Sequence, residues 1–105
     1  MDRKKDPIIS LFVNSVKKHI PLSKIILFGS RAKKKALSTS DYDFLVISPI
    51  FRKLEWEKRC AKIYKMKRNI PAAMDIICLT PEEFNEKKKG LTIIREAVKE
   101  GVVLV

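Results

Sequence analysis

Lys24-Ile25-Ile26-Leu27-Phe28-Gly29-Ser30-Arg31-Ala32 and, after it, Ser40-Asp41-Tyr42-Asp43-Phe44-Leu45-Val46-Ile47 decide the fold. The first is a β-branched and aromatic run that stops at Gly-Ser, and it reads as a buried strand over Lys24 to Phe28 followed by a turn. The second opens on two aspartates either side of a tyrosine and continues as an apolar run to Pro49, a second strand over Asp41 to Ser48. Strand period 2 sets Asp41 and Asp43 on one face, roughly 7 Å apart at their Cα atoms, with Tyr42 on the opposite, core face. Aspartate is disfavoured in strands. Two like charges so close also repel unless a cation lies between them.

Working outward, Asp6-Pro7 is a helix start, an N-cap before proline at the first helical position. Ile9, Phe12, Val13, Val16 and Ile20 follow at helical spacing, and Pro21 ends the helix. Arg31 to Ala36 reads as a short helical turn and Leu37 to Ser40 as a loop. Phe51 to Asn69 reads as one helix with a broad apolar face. Leu54, Ala61 and Tyr64 align along it with Trp56, Cys60 and Ile63 beside them; an exposed partner surface formed by Trp56 and Ile63 is the alternative to their packing on that face. Ala73 to Leu79 is a third strand. Thr80-Pro81-Glu82-Glu83 is a capping box opening another helix. Beyond Gly90, a last helix around Ile93, Ile94, Ala97 and Val98 ends at Gly101, and Val102 to Val105 forms a short strand. The order α-β-α-β-α-β-α-α-β predicts an α/β (α+β) fold, a mixed sheet flanked by helices, in one domain over residues 1–105.

The composition suits such a domain: 105 residues, 46% hydrophobic and 33% charged. No apolar run approaches the ~20 residues of a membrane span, and no signal-type segment follows the N-terminus; a cytoplasmic protein is expected, with no membrane partner. Cys60 and Cys78 are the only cysteines, which excludes a structural zinc site and predicts two buried, reduced thiols. The formal charge of +11 implies a lysine-coated surface and an anionic partner. Its basic runs are scattered, with few aromatics between them, so a nucleic acid is the less favoured partner. His19, alone at a helix end, suits the helix dipole better than catalysis.

Three features carry the chemistry. Gly29-Ser30, at the end of a buried strand, allows close backbone approach and offers N–H groups and a hydroxyl to a phosphate, although such pairs are also common turns. Asp41 and Asp43 read as metal ligands or, singly, as a turn residue and an exposed strand carboxylate. Asp75, inside the apolar Ala73-Met74-Asp75-Ile76-Ile77-Cys78, needs a metal or a lysine partner. Taken together, short oxygen ligands on neighbouring strands beside a phosphate-cradling turn are what Mg²⁺ and a nucleoside triphosphate require.

Gly29-Ser30-Arg31-Ala32, the twelve-residue step to Asp41-Tyr42-Asp43, Asp75 on a later strand and the ending Glu100-Gly101-Val102-Val103-Leu104 resemble the DNA polymerase beta-like nucleotidyltransferase superfamily. Within it the chain is similar, over nearly its whole length, to the minimal nucleotidyltransferases (MNT proteins) that pair with HEPN proteins in toxin–antitoxin modules. The resemblance implies a minimal nucleotidyltransferase fold. It implies Asp41, Asp43 and Asp75 as catalytic metal ligands for Mg²⁺, and Gly29, Ser30 and Arg31 as ATP-binding residues. It also implies transfer of AMP from ATP to a hydroxyl of a HEPN toxin, the chain acting as antitoxin. Lys34 departs from the pattern, standing where the family usually has glycine. It favours the alternative of a non-catalytic MNT-like module that neutralises a partner by contact; a nucleotidyltransferase acting on RNA or a small molecule is a further alternative.

Overall fold

The computed structural model describes residues 6–21, 24–32, 41–90 and 92–105. Helix α1 (Pro7–His19) begins where expected: Asp6 Oδ1 accepts the Ile8 N–H at 2.9 Å, and Pro7 occupies the first turn, where no N–H is needed. Lys17 and Lys18 place positive charge at its C-terminus, where the helix dipole favours it. Strands β1 (Lys24–Phe28) and β2 (Tyr42–Ile47) follow, then a 3-10 turn (Pro49–Lys53), α2 (Trp56–Met66), β3 (Met74–Leu79), α3 (Pro81–Lys87), α4 (Ile93–Glu100) and β4 (Val102–Val103). The helical turn and loop expected up to Ser40 lie, from residue 33 onward, outside the described residues.

The strands form one mixed sheet in the order β3-β2-β1-β4, with β1 antiparallel to both of its neighbours and β2 parallel to β3. Parallel neighbours need a crossover, and the 3-10 turn with α2 supplies it. Each face of the sheet has its own apolar layer. On one face Ile25, Leu27, Phe44, Val46, Met74, Ile76 and Cys78 pack with Ile9, Phe12 and Val16 of α1 and with Ile63 of α2; the rings of Phe12 and Phe44 stack at 4.3 Å. On the other, Ile26, Phe28, Leu45, Ile47 and Leu79 pack with Phe84 of α3 and with Ile94 and Ala97 of α4. Being covered on both sides is why β1 and β2 read as continuous apolar runs rather than alternating ones.

The helix expected over Phe51 to Asn69 is broken. Leu54 and Glu55 are extended, and α2 restarts at Trp56. Phe51 and Ile63 are both fully buried, yet twelve residues of unbroken α-helix would set them about 120° apart. The break turns both towards the sheet. Ile63 therefore belongs to the core, whereas Ala61 and Tyr64, expected inward, are exposed; Trp56 is half exposed. The crossover is held by polar bonds. Ser48 is fully buried, donates to the Pro21 carbonyl and accepts the Ile50 N–H at 3.2 Å. Arg59, also buried, reaches the Leu54 carbonyl at 3.0 Å and the Glu83 carboxylate at 2.6 Å. Glu83 is at the same time the acidic member of the expected capping box, accepting the Thr80 N–H at 2.8 Å while Thr80 Oγ1 accepts the Glu83 N–H at 3.1 Å.

Gly101 caps α4, as expected, through its N–H to the Ala97 carbonyl at 2.8 Å. The following strand is shorter than the expected Val102 to Val105. A Cβ on Gly101 would lie 2.6 Å from Ile26 Cγ2 and 2.9 Å from the Leu27 carbonyl oxygen, and closer still to the Ala97 oxygen. This close approach is what seats α4 on β1. Gly101→Ala is expected to cost about 1–3 kcal/mol by overpacking, and a thermal melt should show Tm lowered by several degrees. An unchanged Tm would mean that α4 does not depend on that contact.

Candidate active site

Gly29 ends β1 with φ +73°, a backbone conformation that glycine adopts without strain. A Cβ there would run into the Asp43 carboxylate. Glycine is thus required twice, by its backbone angle and by the carboxylate packed against it. The Ala32 N–H donates to the Gly29 carbonyl at 3.2 Å, closing a turn with Ser30 exposed and Ala32 buried.

Asp43 lies second in β2. Its partner in the antiparallel ladder is Phe28, and its partner in the parallel ladder is Asp75. Residues paired across a sheet project to the same side, so Asp43 and Asp75 share the α3/α4 face. Tyr42 projects to the other face and is buried there, as expected. Asp41, just before β2, is exposed, and so is Asp75. The sequence expectation of a charge enclosed within β3 therefore needs correcting: the apolar neighbours Met74 and Ile76 face the opposite core, and Asp75 points outward from an edge strand.

The Asp43 carboxyl titrates above the usual carboxylate range, raised first by burial and then by the charges of Asp75 and Asp41. Asp43 thus lies within the field of both other carboxylates. Among the described residues no lysine or arginine forms an ion pair with any of them, in a chain that carries +11 overall. As the side chains stand, no three acidic, histidine or cysteine groups among the described residues are gathered tightly enough to hold a metal ion. The donor set still fits a hard divalent cation. It offers short oxygen ligands, Asp43 and Asp75 on one face and Asp41 just before β2, in a place where positive charge would relieve the repulsion on Asp43.

Beside Asp43 a cleft of about 300 Å³ opens between the sheet and α4, lined by Phe28, Gly29, Asp43, Ile93, Glu96, Ala97 and Glu100. Glu96 was not singled out from sequence, and Glu100 only as part of the C-terminal ending. Their spacing of four on α4 puts both on the stripe that faces the cleft, a signal that becomes readable only once Ile93 and Ala97 are known to line it.

Arg31 lies elsewhere. Its guanidinium stacks on the Tyr42 ring, 3.9 Å from the ring centroid, on the side of the sheet away from the aspartates. The Tyr42 hydroxyl donates to Asp6 Oδ2 at 2.8 Å. Burial first, and the bond to Asp6 second, push its pKa up to about 12, so it remains a donor. His19 is exposed and bonds the Ser15 carbonyl on α1, away from the cleft. Lys34 lies outside the described residues.

A family model of the nucleotidyltransferase domain matches residues 9–104. The chain belongs to that family. No curated protein sequence matches the nucleotidyltransferase chain. Among solved structures, one of a toxin–antitoxin with AMP-PNP is similar at a TM-score of 0.65 and 20% identity, over 91% of this chain and 71% of that one. A mutant of the toxin–antitoxin MntA-HpeT, carrying two aspartate-to-glutamate changes, is similar at 0.56 and 20% identity, over 100% of this chain and 73% of that one. BolA1 from Arabidopsis thaliana is similar at 0.60 and 17% identity, over 74% of this chain and 96% of that one. At these identities the likenesses establish the fold alone; membership rests on the family model.

The raised pKa of Asp43 sets a pH dependence for the metal-free nucleotidyltransferase. A carboxyl that binds its proton more tightly when folded costs nothing below its unfolded pKa, about 3.9. It removes stability as pH rises through the raised folded value. Asp43→Asn is therefore expected to match the wild type in Tm near pH 3 and to exceed it at pH 7. Paired melts in chelator across that range check this, and a mutant less stable at neutral pH would contradict the assigned repulsion.

Proposed function

We propose that this nucleotidyltransferase moves AMP from ATP, with Mg²⁺, onto a hydroxyl of a HEPN toxin partner and so acts as an antitoxin. The observation that carries the reading is the register of β2 and β3. It sets Asp43 beside Asp75 on one face, next to a glycine that Asp43 itself requires. Family membership supports the reaction class. The likeness to two toxin–antitoxin structures, one with AMP-PNP, supports the partner and the nucleotide. The MNT-like sequence pattern supports the acceptor.

In this reading Asp41, Asp43 and Asp75 hold the cation and the Gly29–Ser30 turn receives the triphosphate. Bound there, a divalent ion neutralises charge on the transferring phosphate and the departing pyrophosphate. The acceptor oxygen bonds to the α-phosphorus as the bond to the pyrophosphate oxygen breaks, and the hydroxyl proton is lost on the acceptor side. We assign that side to Asp75, which is exposed on the edge strand. Asp43, half buried against Gly29, faces the nucleotide.

Asp41→Asn and Asp43→Asn keep volume but remove the charge that binds the cation. Label transfer from ATP to the co-purified partner is expected to fall about 100-fold or more, while the complex persists. Transfer undiminished in both variants would remove these aspartates from the site. A wild type that silences its partner by complex formation alone, with no transfer, would make the chain a contact module.

A further inference from the structure

Two consecutive residues of β2 grip the turn that follows β1, one on each face of the sheet. Asp43 packs its carboxylate against Gly29, where a Cβ would collide with it. Tyr42, pointing the other way, carries the Arg31 guanidinium on its ring at 3.9 Å. Ser30 lies between the two gripped residues and is exposed. Its position relative to Asp43 is therefore fixed from both sides.

The Tyr42 ring is itself held in place. It is buried, lies parallel to Phe44 with ring centroids 6.0 Å apart, and donates its hydroxyl to Asp6. The other oxygen of that carboxylate caps α1. A rigid ring bearing a planar cation is a favourable stack, worth more when partly desolvated, and lysine would not reproduce its planarity.

We propose that Tyr42 is a positioning residue for nucleotide binding: through Arg31 it sets the Gly29–Ala32 turn, and with it Ser30, at the place the triphosphate needs beside Asp43. The role rests on the functional reading above, and it assigns Arg31 to holding the turn rather than to touching phosphate. The stacking ring does the holding, and the hydroxyl only steadies the ring. Removing the ring should therefore act on nucleotide affinity in the same way as removing the guanidinium, and the two losses should not add.

The test is titration calorimetry of the full chain with ATP and Mg²⁺, run well below the melting temperature of each variant. Tyr42→Leu and Arg31→Met are each expected to weaken binding about tenfold, and the double variant no further than either. Tyr42→Phe keeps the ring and should bind within twofold of wild type although its Tm falls, a separation that a merely structural role would not produce. Wild-type affinity in Tyr42→Leu, equal losses in Tyr42→Leu and Tyr42→Phe, or multiplying losses in the double variant would each overturn the proposal. A wild type that does not bind ATP with Mg²⁺ would instead overturn the functional reading on which it rests.

Discussion

The parallel ladder between β2 and β3 constrains everything at the site. Met74, Ile76 and Cys78 are buried on the α1/α2 face, and Asp75 alternates to the other. A slip of one residue would turn every side chain of β3 over. Asp75 would then enter an apolar core without a partner, at a cost of several kcal/mol, and three apolar side chains would be lost from that core. Hydrophobic burial on one face thus fixes where a carboxylate stands on the other. Because β2 is central and covered on both sides, the same ladder positions Asp43, and the Gly29 turn follows from Asp43.

The distribution of charge fits that arrangement. Asp41, Asp43 and Asp75 with Glu96 and Glu100 of the cleft make five of the 12 acidic residues, gathered at one end of a molecule of net charge +11. A basic exterior attracts anionic molecules, whereas an acidic cleft repels them unless a cation lies between. BolA1 is similar in fold at a comparable TM-score, and a fold by itself does not fix a function. What separates this chain is the site on the fold, and the family model that spans it.

Much of the fold was legible. β1, β2 and β3 are apolar runs bounded by glycine, proline or threonine, and the capping box of α3 and the ends of α1 and α4 rest on local chemistry that needs no tertiary partner. The region from Phe51 to Met66 was not. Helical periodicity cannot show that Phe51 and Ile63 must face the same sheet from two differently oriented segments, nor that buried Arg59 finds Glu83 across the fold. At the site, strand period placed Asp43 on the face opposite Tyr42. The partnership with Asp75 required the register, and the stacking of Arg31 on Tyr42 required coordinates, since an arginine after Gly-Ser reads equally well as a phosphate ligand.

The central claim is that Asp41, Asp43 and Asp75 share one divalent cation beside the Gly29 turn. A crystal structure with Mn²⁺ and a non-hydrolysable ATP analogue tests it most directly, because anomalous scattering locates the ion independently of the protein. The account predicts an ion with carboxylate oxygens of all three aspartates at about 2.0–2.6 Å and the triphosphate against Gly29 and Ser30. An ion bound elsewhere, or a nucleotide lodged away from that turn, would contradict it.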